Sequence, residues 1–202
     1  MIDNPNAVPA AAIKSIATGL LMMAAFTILW AGIAFGSLNA GYYAYTLLIF
    51  PIFSGAFVVN AISLFRIAKH FPVLTSEDDK AEGKKMGMWF GIIFGAEGLL
   101  IFIAINIVIN IGHANLTIPV IALVVGLHFY PMAKLFKRTI DYYLATWTTL
   151  IAIGAILLIL NKTFPEAKVD AFVGIGTAIS TTCYGLYMIY ESRRLTKPVR
   201  LV

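Results

Sequence analysis

Residues 91–110 read GIIFGAEGLLIFIAINIVIN, and this stretch decides the class of fold. Glu97 is its one acidic or basic residue. About 20 apolar residues, at a rise of 1.5 Å per residue, are enough to cross a hydrocarbon core about 30 Å thick. Because lipid offers the backbone no hydrogen-bond partners, we expect this stretch to be a transmembrane helix.

Five further apolar runs of similar length occur in the 202 residues. The chain is 60% hydrophobic and 12% charged, whereas soluble domains average about 25% charged residues. No polar face is left to meet water, which argues against a soluble bundle, and the alternating pattern of a membrane barrel is missing. We therefore predict an all-α membrane protein, with residues 1–202 forming a single transmembrane domain. Its predicted spans are about 16–36, 43–65, 86–110, 118–136, 142–160 and 171–190.

Lysine and arginine are distributed unequally among the connections between these spans. Thirteen of the fifteen fall at the chain ends and in alternate connections, and the other two, Lys162 and Lys168, lie in the fifth connection. Basic residues in short loops are biased to the cytoplasmic side, so we predict that both termini are cytoplasmic. The six spans then form three hairpins. Anionic lipid headgroups are the expected partners of the net charge of +5, and no motif for nucleic acid accompanies it.

Glu97 and His128 are an acid and an imidazole placed deep within predicted spans. They stand 16 and 15 residues from His113, in the turn between the third and fourth spans. Antiparallel neighbours would hold both about 22–24 Å below that turn. Ionisable groups at such depth usually face the protein interior and find a partner. A carboxyl group beside an imidazole can share a proton, which predicts a proton-linked site. The alternative is a neutral Glu97 bonded to a hydroxyl or amide, with His128 a satisfied interior residue.

Three further residues extend the predicted substrate or proton site. Pro131 has no N–H, so the carbonyl of Leu127 loses its helical partner beside His128. Asn106 in the third span and Thr181 in the sixth could complete a polar cavity around the pair. Threonine hydroxyls can also bond back to their own helix, which would make Thr181 a packing residue.

Small residues form a ridge along the third span: Gly87, Gly91, Gly95 and Gly98, called the glycine ridge below. Such ridges let a second helix approach closely. At 100° per residue, Glu97 points to nearly the opposite side. We therefore expect the glycine ridge to pack inside the bundle or between subunits, and the third helix to be the most enclosed of the six.

Several chemistries lack the residues that they need. The single cysteine, Cys183, excludes an intrachain disulfide and a multi-cysteine metal site. Haem bound by two histidines needs a second buried histidine, and His70 and His113 fall in connections. A hydrolytic zinc site needs three protein ligands, and no Walker loop or dinucleotide fingerprint is present. We therefore expect no cofactor, no metal and no enzymatic activity.

Residues 126–136, GLHFYPMAKLF, follow GAEGLLIF at 95–102. Together they resemble a group of small bacterial six-helix membrane proteins of unknown function, whose fourth helix has a Gly-Leu-His-Phe-x-Pro core. The resemblance implies a bacterial inner-membrane protein and brings no established activity.

Two functions from different classes remain open. One is a proton-linked carrier or channel for a small solute or ion, with Glu97 and His128 as its protonation switch and a polar cavity leading to them. The other is a non-catalytic accessory or scaffold subunit of a membrane complex that uses the glycine ridge. We favour the first. A chain of this length has little room for a large substrate, so a small ligand or a homo-oligomer is expected.

Overall fold

The computed structural model describes residues 8–38, 42–73 and 77–196, and the side chains of all of these except 42–44 and 79. Its regular elements are all helical in this part of the chain, and six helices are long and apolar enough to cross a membrane. They are α1 (Ala10–Ser37), α2 (Ile49–Ile67), α3 (Glu77–Asn110), α4 (Thr117–Phe136), α5 (Thr139–Leu160) and α6 (Glu166–Thr196). Short 3-10 turns cover Tyr42–Leu48, Ala68–His70 and Ala114–Leu116. The predicted all-α class is thus confirmed, and so is the prediction of six helices long and apolar enough to cross a membrane.

Several helices run past the predicted spans, most clearly α3 and α6. Hydropathy marks only the apolar segment, whereas a helix continues wherever its backbone bonds can form. Left-handed residues stop three of the helices, and Lys162, with φ of 52°, is the one that follows α5. Gly112, with φ of 80°, follows α3, and the amide of His113 bonds the Val108 carbonyl at 2.8 Å. Lys137, with φ of 54°, ends α4 in the same manner.

Four chain segments meet at one end of the bundle, called the basic end below. The amide of Ala10, at the start of α1, bonds the carbonyl of Pro72, just beyond α2, at 2.9 Å. Arg138, between α4 and α5, lines one cavity together with Glu191, near the end of α6. Most of the lysine and arginine residues of the described chain lie in these segments. The placement of this end in the cytoplasm stays a prediction, and the terminal residues 1–7 and 197–202 lie outside the described part.

The core is built mainly from α1 against α6 and α2, and from α4 against α5. Small residues bring these helices together, as where Gly174 of α6 lies on Ala34 of α1. Consecutive helices also contact one another, except that α2 and α3 have no extensive contact. The division into three hairpins stays a prediction, because the most extensive contacts join helices of different predicted hairpins.

Helix α3 lies at the edge of the bundle, and the prediction that it is the most enclosed helix is wrong. Only 6% of its most apolar 18-residue stretch is buried, against 67% in α6. Its main neighbour is α4. The sequence did not predict the edge position of α3, because lipid covers an apolar or glycine-rich helix face as readily as protein does.

Candidate functional site

The structure brings Glu97 and His128 together between α3 and α4. Glu97 Oε1 lies 3.2 Å from His128 Nδ1, and the two side chains are only 10% and 9% exposed. His128 Nδ1 has no aligned hydrogen-bond partner, so the two groups are in close polar contact without a regular hydrogen bond. The matched depth arises because α3 and α4 run back from the turn at His113 by similar numbers of residues.

Aromatic rings surround the imidazole of His128. The ring of Phe94, one turn before Glu97 on α3, meets it edge-on at 5.7 Å between centroids. The centroid of the Phe129 ring lies 4.3 Å from that of the imidazole. Phe90 packs in a tilted arrangement on Phe94, with 4.8 Å between centroids, and continues this layer along α3. These rings exclude water and offer no hydrogen bonds, so the polar partners of His128 are Glu97 and the backbone of Val125.

Pro131 lies one turn beyond His128 on α4, and its ring is exposed on the outer surface. Helix α4 is unbroken from Thr117 to Phe136. Pro131 therefore does not itself line the pair. Its remaining effect is on the Leu127 carbonyl, which cannot receive a helical hydrogen bond from a proline nitrogen.

Asn106 and Thr181 do not form a polar cavity with the pair. The amide of Asn106 is exposed and donates to the Phe102 carbonyl of its own helix at 2.7 Å. Nine residues separate it from Glu97, which is about 13 Å along the helix and half a rotation around it. Thr181 is buried, but its hydroxyl receives a 2.9 Å hydrogen bond from Thr27 and donates to Ala178. Its placement is that of a packing residue between α6 and α1.

The glycine ridge points away from the bundle. A Cβ atom added at Gly87, Gly91, Gly95 or Gly98 would have open space within 4 Å. Packing of this ridge inside the bundle is therefore wrong, because α3 turns its other face to α4. Packing between subunits stays a prediction.

A second polar cluster, at the basic end, was missed from the sequence. Asp141, in the first turn of α5, is fully buried. Arg138 Nη1 donates to the Tyr184 hydroxyl of α6 at 3.2 Å. Asp141 stands just outside the predicted span 142–160, where an acid is expected to face water. Only the fold reveals that α6 covers this helix start.

Two of the cavities in the described part of the chain lie away from Glu97 and His128. One of about 350 Å³ lies at the opposite end of the bundle, beside Asn115, Lys162 and Glu166. The other, of about 90 Å³, is lined by Arg138 and Glu191 at the basic end. The described residues include no group of three or more histidine, cysteine or acidic side chains that could hold a metal ion.

No family model, curated protein or solved structure matches the chain. The resemblance at residues 126–131 therefore stays a prediction, and only the geometry of the described chain bears on its function. That geometry is a multi-pass membrane fold with one buried acid–imidazole pair at a helix contact.

Proposed function

We propose that this protein is a proton-linked carrier or channel for a small solute or ion, in the bacterial inner membrane with both termini cytoplasmic. The observation that carries the proposal is the 3.2 Å contact between Glu97 and His128 within a largely buried interface. Intramembrane ionisable residues are costly to maintain, and their usual roles are ion pathways and proton relays.

The pair can exist in states that differ by one proton. With one proton, the pair is a carboxylate beside a protonated histidine or, equivalently in proton count, a neutral acid beside a neutral imidazole. Gain of a proton gives a neutral glutamic acid beside a cationic imidazole, and loss of a proton gives a carboxylate beside a neutral imidazole. Loss or gain of one proton changes the attraction between α3 and α4, because few other polar groups lie at this contact. Coupling between protonation and movement of α3 follows from this dependence.

Glu97→Gln is expected to abolish pH-dependent proton movement, since glutamine keeps the shape of the side chain without the titrating group. The full chain in lipid vesicles, with a trapped pH-sensitive dye, would be subjected in turn to gradients of Na⁺, K⁺ and chloride. We expect the proton flux driven by the effective ion to fall by about tenfold or more in this variant.

Glu82→Gln is the matched control, because Glu82 is an exposed acid on the same helix. Its flux should equal that of the unmodified protein. Equal fluxes from the Glu97→Gln and unmodified proteins would refute the proposal, as would vesicles that show no proton flux with any of the three ions.

A second candidate, a non-catalytic subunit that assembles through α3, is favoured by the open space over the glycine ridge. Close helix approach in membranes depends on small side chains, because backbones then pack at short distance. The exposed amide of Asn106 borders the same surface. A partner helix, from a second copy or another membrane protein, would cover both.

Gly95→Leu is expected to disrupt such assembly while leaving the bundle intact, because its side chain would project from the outer face of α3. The measurement is the mass of the complex released gently from the membrane. Gly55→Leu on α2, where the added side chain also meets open space, is the control. A complex that persists in Gly95→Leu, or an unmodified protein that is purely monomeric, would count against this candidate.

A further inference from the structure

Asp141 and Tyr184 are buried and interact with each other and with the half-buried Arg138, and the proposed function has not used this cluster. Asp141 is 0% exposed and Tyr184 is 5% exposed. Both carboxylate oxygens of Asp141 lack an aligned hydrogen bond from any described residue. The Tyr184 hydroxyl accepts its hydrogen bond from Arg138, so its own proton is free to be donated. Buried polar atoms are rarely left unpaired, so a site with this arrangement calls for an explanation.

The charged groups near Asp141 come from two directions. Arg138 precedes it by three residues, and the guanidinium group also lies 4.8 Å over the ring of Phe136. Helix α6 contributes Tyr184 and, further along, Tyr187, Glu191 and Arg194. Helix α4 turns the apolar ring of Phe129 to this region, and Lys14 of α1 is exposed. Arg138 is thus the nearest cation to Asp141.

A cavity of about 90 Å³ lies beside Arg138 at the basic end. Arg138, Tyr187 and Glu191 supply its polar lining, and the rest is apolar. The cavity is large enough to admit water. A water molecule that entered it would lie beside Arg138, which is itself bonded to Tyr184.

Phe129 is the side chain that separates this cluster from the Glu97–His128 pair. Its ring lies edge-on to that of Tyr184 at 5.9 Å and 4.3 Å from the imidazole of His128. It is 5% exposed. One aromatic ring therefore stands between a cluster next to a surface cavity and a pair within the membrane span.

We propose that Arg138, Tyr184 and Asp141 form the port through which protons pass between water at the basic end and the Glu97–His128 pair, with Phe129 as the gate. This inference rests on the proposed function. A hydronium ion in the cavity gives a proton to the Tyr184 oxygen while the original phenolic proton passes to Asp141. The hydronium becomes water, the tyrosine is unchanged and the carboxylate becomes a neutral acid.

The second step requires the Phe129 ring to move aside and admit water. Asp141 then gives its proton through that water to His128 Nε2 and returns to the carboxylate form. Arg138 stabilises this form because its positive charge stays nearby. The closed Phe129 gate prevents continuous conduction of protons. A proton-coupled carrier requires that such conduction be prevented.

The test measures how fast Glu97 is protonated after a pH jump, using the full chain in lipid and the infrared absorption of protonated carboxyl groups. Loss of a band in Glu97→Gln assigns that band. We expect Asp141→Asn and Tyr184→Phe each to slow protonation of Glu97 by about tenfold or more, while the midpoint pH stays the same. Phe129→Leu should accelerate it.

Tyr130→Phe is the matched control, because it removes a hydroxyl that contacts Thr146 at 3.1 Å on another part of α4 and α5. Tyr184→Phe preserves the ring and so remains informative if Asp141→Asn does not fold. An unchanged rate of Glu97 protonation in Tyr184→Phe would overturn the proposed port. A change in that rate that is fully explained by a shift in the midpoint pH of Glu97 would overturn it as well. Absence of a titrating Glu97 band in the unmodified protein would instead defeat the proposed function together with this inference.

Discussion

Gly174→Leu is expected to prevent formation of the bundle. A Cβ atom at this position would lie 2.8 Å from both the Trp30 carbonyl oxygen and the Ala34 amide nitrogen of α1. Backbone atoms inside a helix cannot move aside without breaking helical hydrogen bonds. Leucine would therefore force α6 away from α1, which is the most extensive helix contact of the fold.

The measurement is the yield of monodisperse protein extracted from membranes, followed by its thermal unfolding. Gly32→Leu on α1 is the control, because a side chain there meets open space. We expect the control to behave like the unmodified protein and Gly174→Leu to yield little or no folded material. Normal yield and unfolding temperature for Gly174→Leu would show that the α1–α6 contact is wrong.

Phe57→Ala is expected to produce the second largest loss of stability. The ring of Phe57 is fully buried and lies directly over Gly185 of α6, where no other residue type leaves room for it. Truncation of a buried phenylalanine typically costs about 3–5 kcal/mol, because the contacts are lost and a cavity remains. Lipid tails lie outside the bundle and cannot fill that space.

Val59→Ala provides the comparison, since Val59 lies two residues along α2 and is 67% exposed. Unfolding of both variants in a mixed-micelle titration would give the free energies. A loss below about 1 kcal/mol for Phe57→Ala, similar to that of the control, would be inconsistent with a ring packed against Gly185.

The edge position of α3 bears on the proposed function. Helix α3 packs mainly on α4, and most of its apolar stretch is exposed. Movement of this one helix would open the Glu97–His128 contact without repacking α1, α2 or α6. In the proposed proton-linked carrier or channel, such a movement would give access to the pair, and the proton on the pair would bias its equilibrium.

The glycine ridge bears on the same movement. A partner helix seated on the ridge would oppose or guide the displacement of α3. The two candidate functions are therefore distinguished by different substitutions on one helix. Glu97→Gln removes the titrating group from the inner face, whereas Gly95→Leu alters only the outer face.

The contact between Glu97 and His128 was predictable because it depends on distance along two helices joined by a short turn. Helical rise is nearly constant, so residues at equal separation from His113 reach equal depth. Because lipid excludes ionisable groups, both side chains were expected to face the protein interior. Helices α3 and α4 are rotated so that the two side chains face each other, as expected.

Long-range contacts were not predictable in the same way. Thr181 and Asn106 each occur at a polar position within an apolar run, yet they bond to α1 and to the local backbone respectively. Asp141 looks like a solvent-facing acid at a helix start, and only the covering α6 makes it buried. The arrangement of the helices around one another decides which polar groups come into contact.

By itself, the sequence determined six membrane-length helices and the common depth of Glu97 and His128. These follow from local quantities: apolar length, backbone hydrogen bonding in lipid and the rise per residue. The tertiary structure alone decided that α3 lies at the edge, that the glycine ridge faces outward and that Asp141 is enclosed. In a membrane, lipid and protein are similarly apolar, so hydrophobicity cannot tell which face of a helix meets a neighbour.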